Sequence, residues 1–247
     1  MEKINIRGLD FSNITRAEAA ALAAAALSKD SVTTVFTPNA EIAYNASRDE
    51  EFMKILQSAD ILLPDGAGII KASNILGTPL REKVAGVDFG ADVAKICAEN
   101  GYSVFLLGGK PGVADAAAEK LTERFPGLKI VGTNDGYFDK IGAENDGVIE
   151  KINASRADVL YVCLGSPAQE KWTYENKLKF DTVRLICCLG GSVDVYAEKA
   201  KRAPGFFIKT NKEWLYRLIK EPKRFGRMLA IPKYLRDTRK YKKNMGK

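Results

Sequence analysis

The chain has 247 residues, 46% of them apolar, with 38 Lys and Arg against 31 Asp and Glu and no histidine. That length holds one large domain or one domain with an appendage, and no apolar run approaches the ~20 residues of a membrane span. Without histidine, acid–base chemistry near neutral pH falls to a carboxylate, or to a Lys, Tyr or Cys with a shifted pKa.

The N-terminal Met-Glu-Lys-Ile-Asn-Ile lacks the basic and apolar regions of a signal peptide, so export is not expected. A helix is predicted over 15–28, then a β-branched strand over 33–36 that runs into Thr37-Pro38-Asn39-Ala40-Glu41. After a helix at 49–58, the strand 61–63 leads to Pro64-Asp65-Gly66-Ala67-Gly68 and a small-residue helix over 66–76. Asp65 is thereby expected at the carboxyl edge of a parallel sheet, in the usual ligand crevice. The alternative is a plain Pro-Asp-Gly turn with Asp capping the next helix.

Further on, helix 88–100 precedes strand 103–107 and the loop Gly108-Gly109-Lys110-Pro111-Gly112, which starts a helix over 111–124. Glycines there let a backbone approach phosphate at a helix N-terminus, although a tight turn without ligand reads the same way. Strand 129–132 ends in Thr133-Asn134-Asp135-Gly136-Tyr137-Phe138, where Tyr137 can stack on a base or ribose beside Asp135, or simply sit in a surface turn. Helix 144–154 follows. Strand 159–163 leads into Gly165-Ser166-Pro167-Ala168-Gln169-Glu170 and helix 168–178. Gln169 is the better candidate there for a sugar or phosphate, and Glu170 serves either as a ligand or as an acid near a helix N-terminus. Strand 184–189 and helix 192–199 are joined by Gly190-Gly191-Ser192-Val193-Asp194.

Continuously apolar strands alternating with helices give an α/β fold, Rossmann-like, with a mostly parallel sheet covered on both faces. Several glycine-rich or polar strand ends on one edge suggest a nucleotide pocket more strongly than any one of them. Cys97, Cys163, Cys187 and Cys188 lie in apolar segments without metal-type spacing, as buried thiols of a reducing cytosol do.

The charge is split sharply. Residues 199–247 carry 17 Lys or Arg and 3 Asp or Glu, whereas residues 1–198 carry 21 and 28. The boundary expected from this is a core over 1–198 and a basic amphipathic appendage over 199–247. Within it, residues 210–220 read as a helix with an apolar stripe at Trp214, Leu215, Leu218 and Ile219, and Phe225, Met228, Leu229 and Ile231 form a second segment ending at Pro232. Such a pair suits an anionic membrane surface. A tail packed on the body is the alternative. Nucleic acid ranks lower as a partner, since no nucleic-acid-binding motif is present.

Taken in order, Thr37-Pro-Asn-Ala-Glu41, Leu63-Pro-Asp-Gly66, Val84-Ala-Gly-Val-Asp88, Leu107-Gly-Gly109, Gly165-Ser-Pro-Ala-Gln-Glu170, Gly190-Gly-Ser-Val-Asp194, Lys201-Arg-Ala-Pro204, Glu213-Trp-Leu-Tyr-Arg217 and Glu221-Pro-Lys-Arg224 span nearly the whole chain. This set resembles the WecG/TagA/CpsF glycosyltransferase family, within it the TagA-like N-acetylmannosaminyltransferases of wall teichoic acid synthesis. The resemblance implies a peripheral, inverting hexosyltransferase at the cytoplasmic face of the plasma membrane. Its donor is UDP-ManNAc and its acceptor the 4-hydroxyl of GlcNAc on undecaprenyl diphosphate. Other UDP-sugars (ManNAcA or glucose), or a non-catalytic nucleotide- or lipid-binding module, are the alternatives, and a homo-oligomer stays open.

No metal cofactor is expected, and the chain has no Asp-x-Asp triplet. Asp65 is the expected base, with Thr37 and Asn39 orienting hydroxyls. Substrate binding is expected from Gly108, Gly109, Asp135, Tyr137, Gln169, Glu170, Gly190, Gly191, Asp194, Arg217, Arg224 and Arg227. Lys83 stands where the family often has Arg, which replaces a bidentate fork by a point charge.

Overall fold

A computed structural model describes residues 1–200, 203–209, 216 and 225–245. The chain opens with an antiparallel hairpin, β1 (Lys3–Ile6) and β2 (Leu9–Ser12), which the sequence reading did not anticipate. Its two-residue loop, Arg7-Gly8, has φ of 54° and 95°. Positive φ at both positions is the turn whose twist matches paired strands, and glycine accepts it without strain. Ile6, Leu9 and Phe11 are fully buried beneath it.

Helix α1 (Arg16–Leu27) starts at a capping box, in which the Thr15 side chain accepts from Glu18 N and Glu18 reaches back to Thr15 N. Then come β3 (Thr33–Phe36), α2 (Ala40–Ala46), α3 (Glu50–Gln57), β4 (Ile61–Leu62), α4 (Ala67–Leu76) and α5 (Gly86–Asn100). The second half runs β5 (Ser103–Gly108), α6 (Val113–Arg124), β6 (Lys129–Asn134), α7 (Ala143–Ser155), β7 (Val159–Cys163), α8 (Ala168–Asn176), β8 (Leu185–Cys188) and α9 (Ser192–Tyr196). Strands β3 to β8 form one parallel sheet in the order β4-β3-β8-β7-β5-β6.

Every residue of β5, β7 and β8 is buried, because helices cover both faces. Along β5, Val104 and Leu106 pack into a core beneath α1, α5, α6 and α9. The alternate residues Phe105 and Leu107 pack into a second core, under the hairpin and helices α2, α3, α4, α7 and α8. A period of two with both sides apolar explains why the strands read as unbroken apolar runs.

At the end of β5, Gly108 has a φ of 131° and stands close against β7. A Cβ there would lie 2.3 Å from the backbone oxygen of Cys163. Gly108→Ala therefore forces β5 and β7 apart in a conformation that L-residues avoid. Its expected cost is at least about 2 kcal/mol, read as a lower urea midpoint with unchanged slope. A midpoint equal to wild type would show that the strand ends relax without loss.

Beyond residue 200 lie α10 (Gly205–Lys209), α11 (Phe225–Met228) and α12 (Ala230–Met245). Apart from Tyr216, the predicted helix at 210–220 lies outside the described residues, as do the cations Arg217 and Arg224 and the side chain of Arg227. Pro232 does not end a segment, as expected from the sequence, but sits in the first turn of α12. There a missing N–H costs no intrahelical bond. The α12 stripe Ala230, Tyr234 and Thr238 is buried against α2 and α4, and Arg7 stacks 5.1 Å from the Tyr234 ring centroid. Arg48 reaches Asp237 at 3.9 Å. Lys233, Arg236, Arg239, Lys240, Lys242 and Lys243 of the same helix are exposed, with the Lys242 ammonium near Gly77 at the end of α4.

Candidate active site

All six parallel strands point their carboxyl ends at one edge, and each candidate residue outside the tail lies on or just behind it. At one end of that edge β3 runs into Thr37 and β4 into Asp65. The Thr37 hydroxyl donates to Cys188 O at 3.0 Å, tying β3 to β8. Asn39 caps α2, its Oδ1 accepting from Glu41 N and Ile42 N at 2.9 and 3.1 Å.

Asp65 is half-buried, and its N–H points to Pro38 O at 3.4 Å. Its carboxylate Oδ2 lies 3.5 Å from the backbone N of Gly86, the first residue of the 15-residue α5. That N-terminus has no side-chain cap of its own, so a carboxylate there meets the positive end of the helix. Gly86 is itself pressed against Thr37: a Cβ on it would sit 2.9 Å from the Thr37 hydroxyl oxygen. Thr37, Asn39 and Asp65 are thus gathered at the N-termini of α2, α4 and α5.

The sequence reading started α5 at residue 88 and gave Gly86 no part. The signal was the Val84-Ala-Gly-Val-Asp88 cassette, which carried the resemblance without an assigned role.

At the centre of the edge stands a second cluster. Gln169 is 2% exposed; its Oε1 accepts from Gly190 N at 2.9 Å and its Nε2 donates to Glu170 Oε1 at 2.8 Å. Glu170 is 1% exposed, so it supports the edge from beneath rather than lining it. Burial raises its pKa above the usual carboxylate value, offset in part by the Gln169 hydrogen bond and the nearby Ser166 hydroxyl. Its Oε2 has no hydrogen-bond partner.

Two amides expected to meet phosphate are already bonded. Gly109 N donates to Cys163 O at 3.3 Å, and Gly190 N to Gln169. Gly191 precedes α9, a five-residue helix, and Asp194 O accepts from Lys199 N and Ala200 N.

At the far end Gly136 N donates to Gly109 O at 2.8 Å, joining the β6 loop to the β5 loop. Asp135 Oδ1 accepts from Tyr137 N at 2.8 Å, and Tyr137 projects from this turn at 69% exposure. The edge is therefore one connected series from Asp65 through Thr37, Gly190 and Gln169 to Gly109 and Gly136. A cavity of about 390 Å³ lined by Asp88, Lys120, Arg124 and Tyr196 among others lies between α5, α6 and α9 and includes none of these residues.

Alternative bases are set aside by their surroundings. Burial pushes the Cys97 and Cys163 thiols up to about 12 and raises those of Cys187 and Cys188 well above the usual thiol value. The Tyr161 and Tyr196 phenols are raised likewise, and donate to Gly90 O and Val87 O. Desolvation lowers the pKa of Lys140, yet its ammonium is engaged by Gly136 O and Phe138 O and stands over the Phe138 ring. The acid–base candidates at the edge are therefore carboxylates, Asp65 among them with Asp135 and Asp194.

Over residues 4–247 the chain matches the model of the glycosyl transferase WecG/TagA/CpsF family. It is 34% identical over 220 residues to the N-acetylglucosaminyldiphosphoundecaprenol N-acetyl-beta-D-mannosaminyltransferase of Bacillus spizizenii strain W23, covering 86% of this chain and 81% of that one. The enzyme of the same name from Bacillus subtilis strain 168 is 35% identical over 210 residues, covering 85% and 80%. That from Staphylococcus aureus strain MRSA252 is 32% identical over 247 residues, covering 99% and 95%. With the family model spanning both the sheet edge and the basic C-terminal segment, the chain belongs to the WecG/TagA/CpsF family of glycosyl transferases.

Proposed function

We infer that this chain is a hexosyltransferase that moves N-acetylmannosamine onto the GlcNAc of GlcNAc-diphosphoundecaprenol, the activity in the names of its relatives. The observation that carries the reading is the Asp65 cassette, set against the N-terminus of α5 on the sheet edge of a chain that matches those transferases over most of its length. UDP-ManNAc is the donor in this reading and the GlcNAc 4-hydroxyl the nucleophile. The product is the β-linked disaccharide lipid.

Inversion takes one in-line displacement. Asp65 accepts the proton as the acceptor oxygen forms its bond to the anomeric carbon and the bond to UDP breaks. Asn39, its Oδ1 committed to capping α2, offers its Nδ2 to a sugar hydroxyl, and the Thr37 oxygen keeps lone pairs to accept from one. The negative charge that grows on the departing diphosphate is met by cations of the C-terminal segment, for which Arg217, Arg224 and Arg227 stand as the candidates. No metal is required in this scheme.

Among the described residues no helix is long and apolar enough to cross a membrane. The six exposed Lys and Arg of α12 support a peripheral association with anionic lipid at the cytoplasmic face.

The test is release of UDP from UDP-ManNAc by the full chain, with and without a GlcNAc-diphospholipid acceptor and with and without a chelator. Release that depends on acceptor and persists with chelator is the expected result. Acceptor-independent binding without release makes the chain a non-catalytic module. Loss of release with chelator overturns the metal-free scheme, and preference for another UDP-sugar overturns the donor.

A further inference from the structure

We propose that Glu170 is a positioning residue that fixes the orientation of the Gln169 carboxamide and, through it, the turn between β8 and α9 on the reactive edge; for its effect on catalysis this rests on the transferase reading above.

The geometry is a relay of two bonds that joins the first turn of α8 to the β8–α9 turn. A primary carboxamide is nearly symmetric in shape, and its two ends differ only in that one accepts and the other donates. Gly190 presents an N–H to Gln169, so the turn is held only when the carbonyl end faces it. A flipped amide would set donor against donor in a site where Gln169 is 2% exposed. The Glu170 Oε1 excludes that state, because it accepts from Nε2 at 2.8 Å and so demands the amino end on its own side.

Gly190 has a φ of 58°, and it directly follows Leu189, whose own N–H donates to Val162 O. One residue earlier, Cys188 O accepts the Thr37 hydroxyl. The β8 end is therefore pinned to Thr37 on one side and to Gln169 on the other. What Glu170 holds is the second of these pins.

A purely packing role does not account for a carboxyl at this position. Glu170 is 1% exposed and its Oε2 is buried without a hydrogen bond, while the Gln169 amide, the Ser166 hydroxyl, its own backbone N–H and the Cys188 thiol are polar groups near the carboxyl. An apolar side chain would fill the space without that unmet oxygen. The carboxyl supplies the one thing an apolar group lacks, an acceptor aimed at Gln169.

The test compares the full chain with Glu170→Ala, Glu170→Leu, Glu170→Gln, Gln169→Ala and the Gln169→Ala/Glu170→Ala pair. Amide hydrogen exchange at Gly190 is read beside thermal unfolding and donor kinetics. Removing the acceptor with Ala or Leu is expected to speed Gly190 exchange and raise KM for the UDP-sugar by about tenfold each, with a smaller change in kcat. Glu170→Gln keeps a carbonyl for Nε2 and recovers most of that loss. The double variant is expected to be no worse than Gln169→Ala, because both lie on one relay.

Slow Gly190 exchange in a folded Glu170→Leu protein overturns the proposal, as does Glu170→Gln being as impaired as Leu, or additivity in the double variant. The Leu variant carries the test if the Ala variant does not fold. Should the wild-type chain turn over no UDP-sugar, the transferase reading fails, while Gly190 exchange still judges Glu170.

Discussion

Replacement of Asp65 by Asn is expected to lower turnover by about 10²–10⁴-fold while leaving UDP affinity within a few-fold of wild type. The size follows from removing a positioned base, and the sparing of affinity follows from shape. Asn keeps an oxygen to face Gly86 N, so the packing of α5 against the β4 loop survives. The effect is expected to be large because neither a histidine nor an exposed thiol is present to take over. The cysteine thiols have raised pKa values, and the Tyr161 and Tyr196 phenols are raised likewise and committed to Gly90 O and Val87 O. Single-turnover measurement with UDP-ManNAc and a lipid-linked GlcNAc separates the chemical step from release. Near-normal turnover in Asp65→Asn would take the aspartate out of the role.

Removal of residues 199–247 is expected to abolish both transfer and vesicle binding. The loss combines two effects that further variants can separate. The deleted stretch contains α12, whose Tyr234 is 1% exposed and whose Ile231 Cγ2 would lie 3.5 Å from a Cβ on Gly68, next to the Asp65 cassette. Its loss uncovers α2 and α4, and a large buried aromatic alone is worth about 3 kcal/mol. Changing Lys233, Arg236, Arg239, Lys240, Lys242 and Lys243 to Gln leaves the buried stripe of Ala230, Tyr234 and Thr238 in place and removes exposed charge.

At about 1 kcal/mol per cation near anionic lipid, the sixfold variant should bind vesicles at least about a hundredfold less tightly, with its unfolding midpoint nearly unchanged. Cosedimentation with phosphatidylglycerol vesicles reads the first quantity and calorimetry the second. A truncated protein that still transfers sugar would remove the C-terminal segment from the mechanism. Undiminished vesicle binding by the sixfold variant would place the lipid contact elsewhere.

The parallel sheet was readable because both of its faces are covered: β5, β7 and β8 are apolar at nearly every position, β3 is β-branched and aromatic, and glycine or proline marks where each ends. The hairpin β1–β2 escaped because four residues on each side of Arg7-Gly8 give too little alternation to stand out. Its stability comes from burying Ile6, Leu9 and Phe11 against distant helices. Helix α12 escaped because Pro232 was taken as a breaker, a rule that fails in a first turn.

At the site, position along the edge could be inferred residue by residue, since each strand end delivers its own cassette. Partners could not. Nothing local says that Gln169 will meet an amide 21 positions away, or that Gly86 will stand behind Asp65 across 21 residues. Long-range pairs of this kind are products of the assembled sheet.

Helix α12 has one wall cemented into the body and the other studded with cations. In a protein resting on a bilayer through that wall, the catalytic rim has a fixed stand-off from the lipid, set by a rigid strut rather than by a tether. An acceptor whose sugar is anchored through a diphosphate occupies a narrow band of heights above the same plane. On the proposed membrane-bound reading, the strut acts as a depth gauge that matches the two.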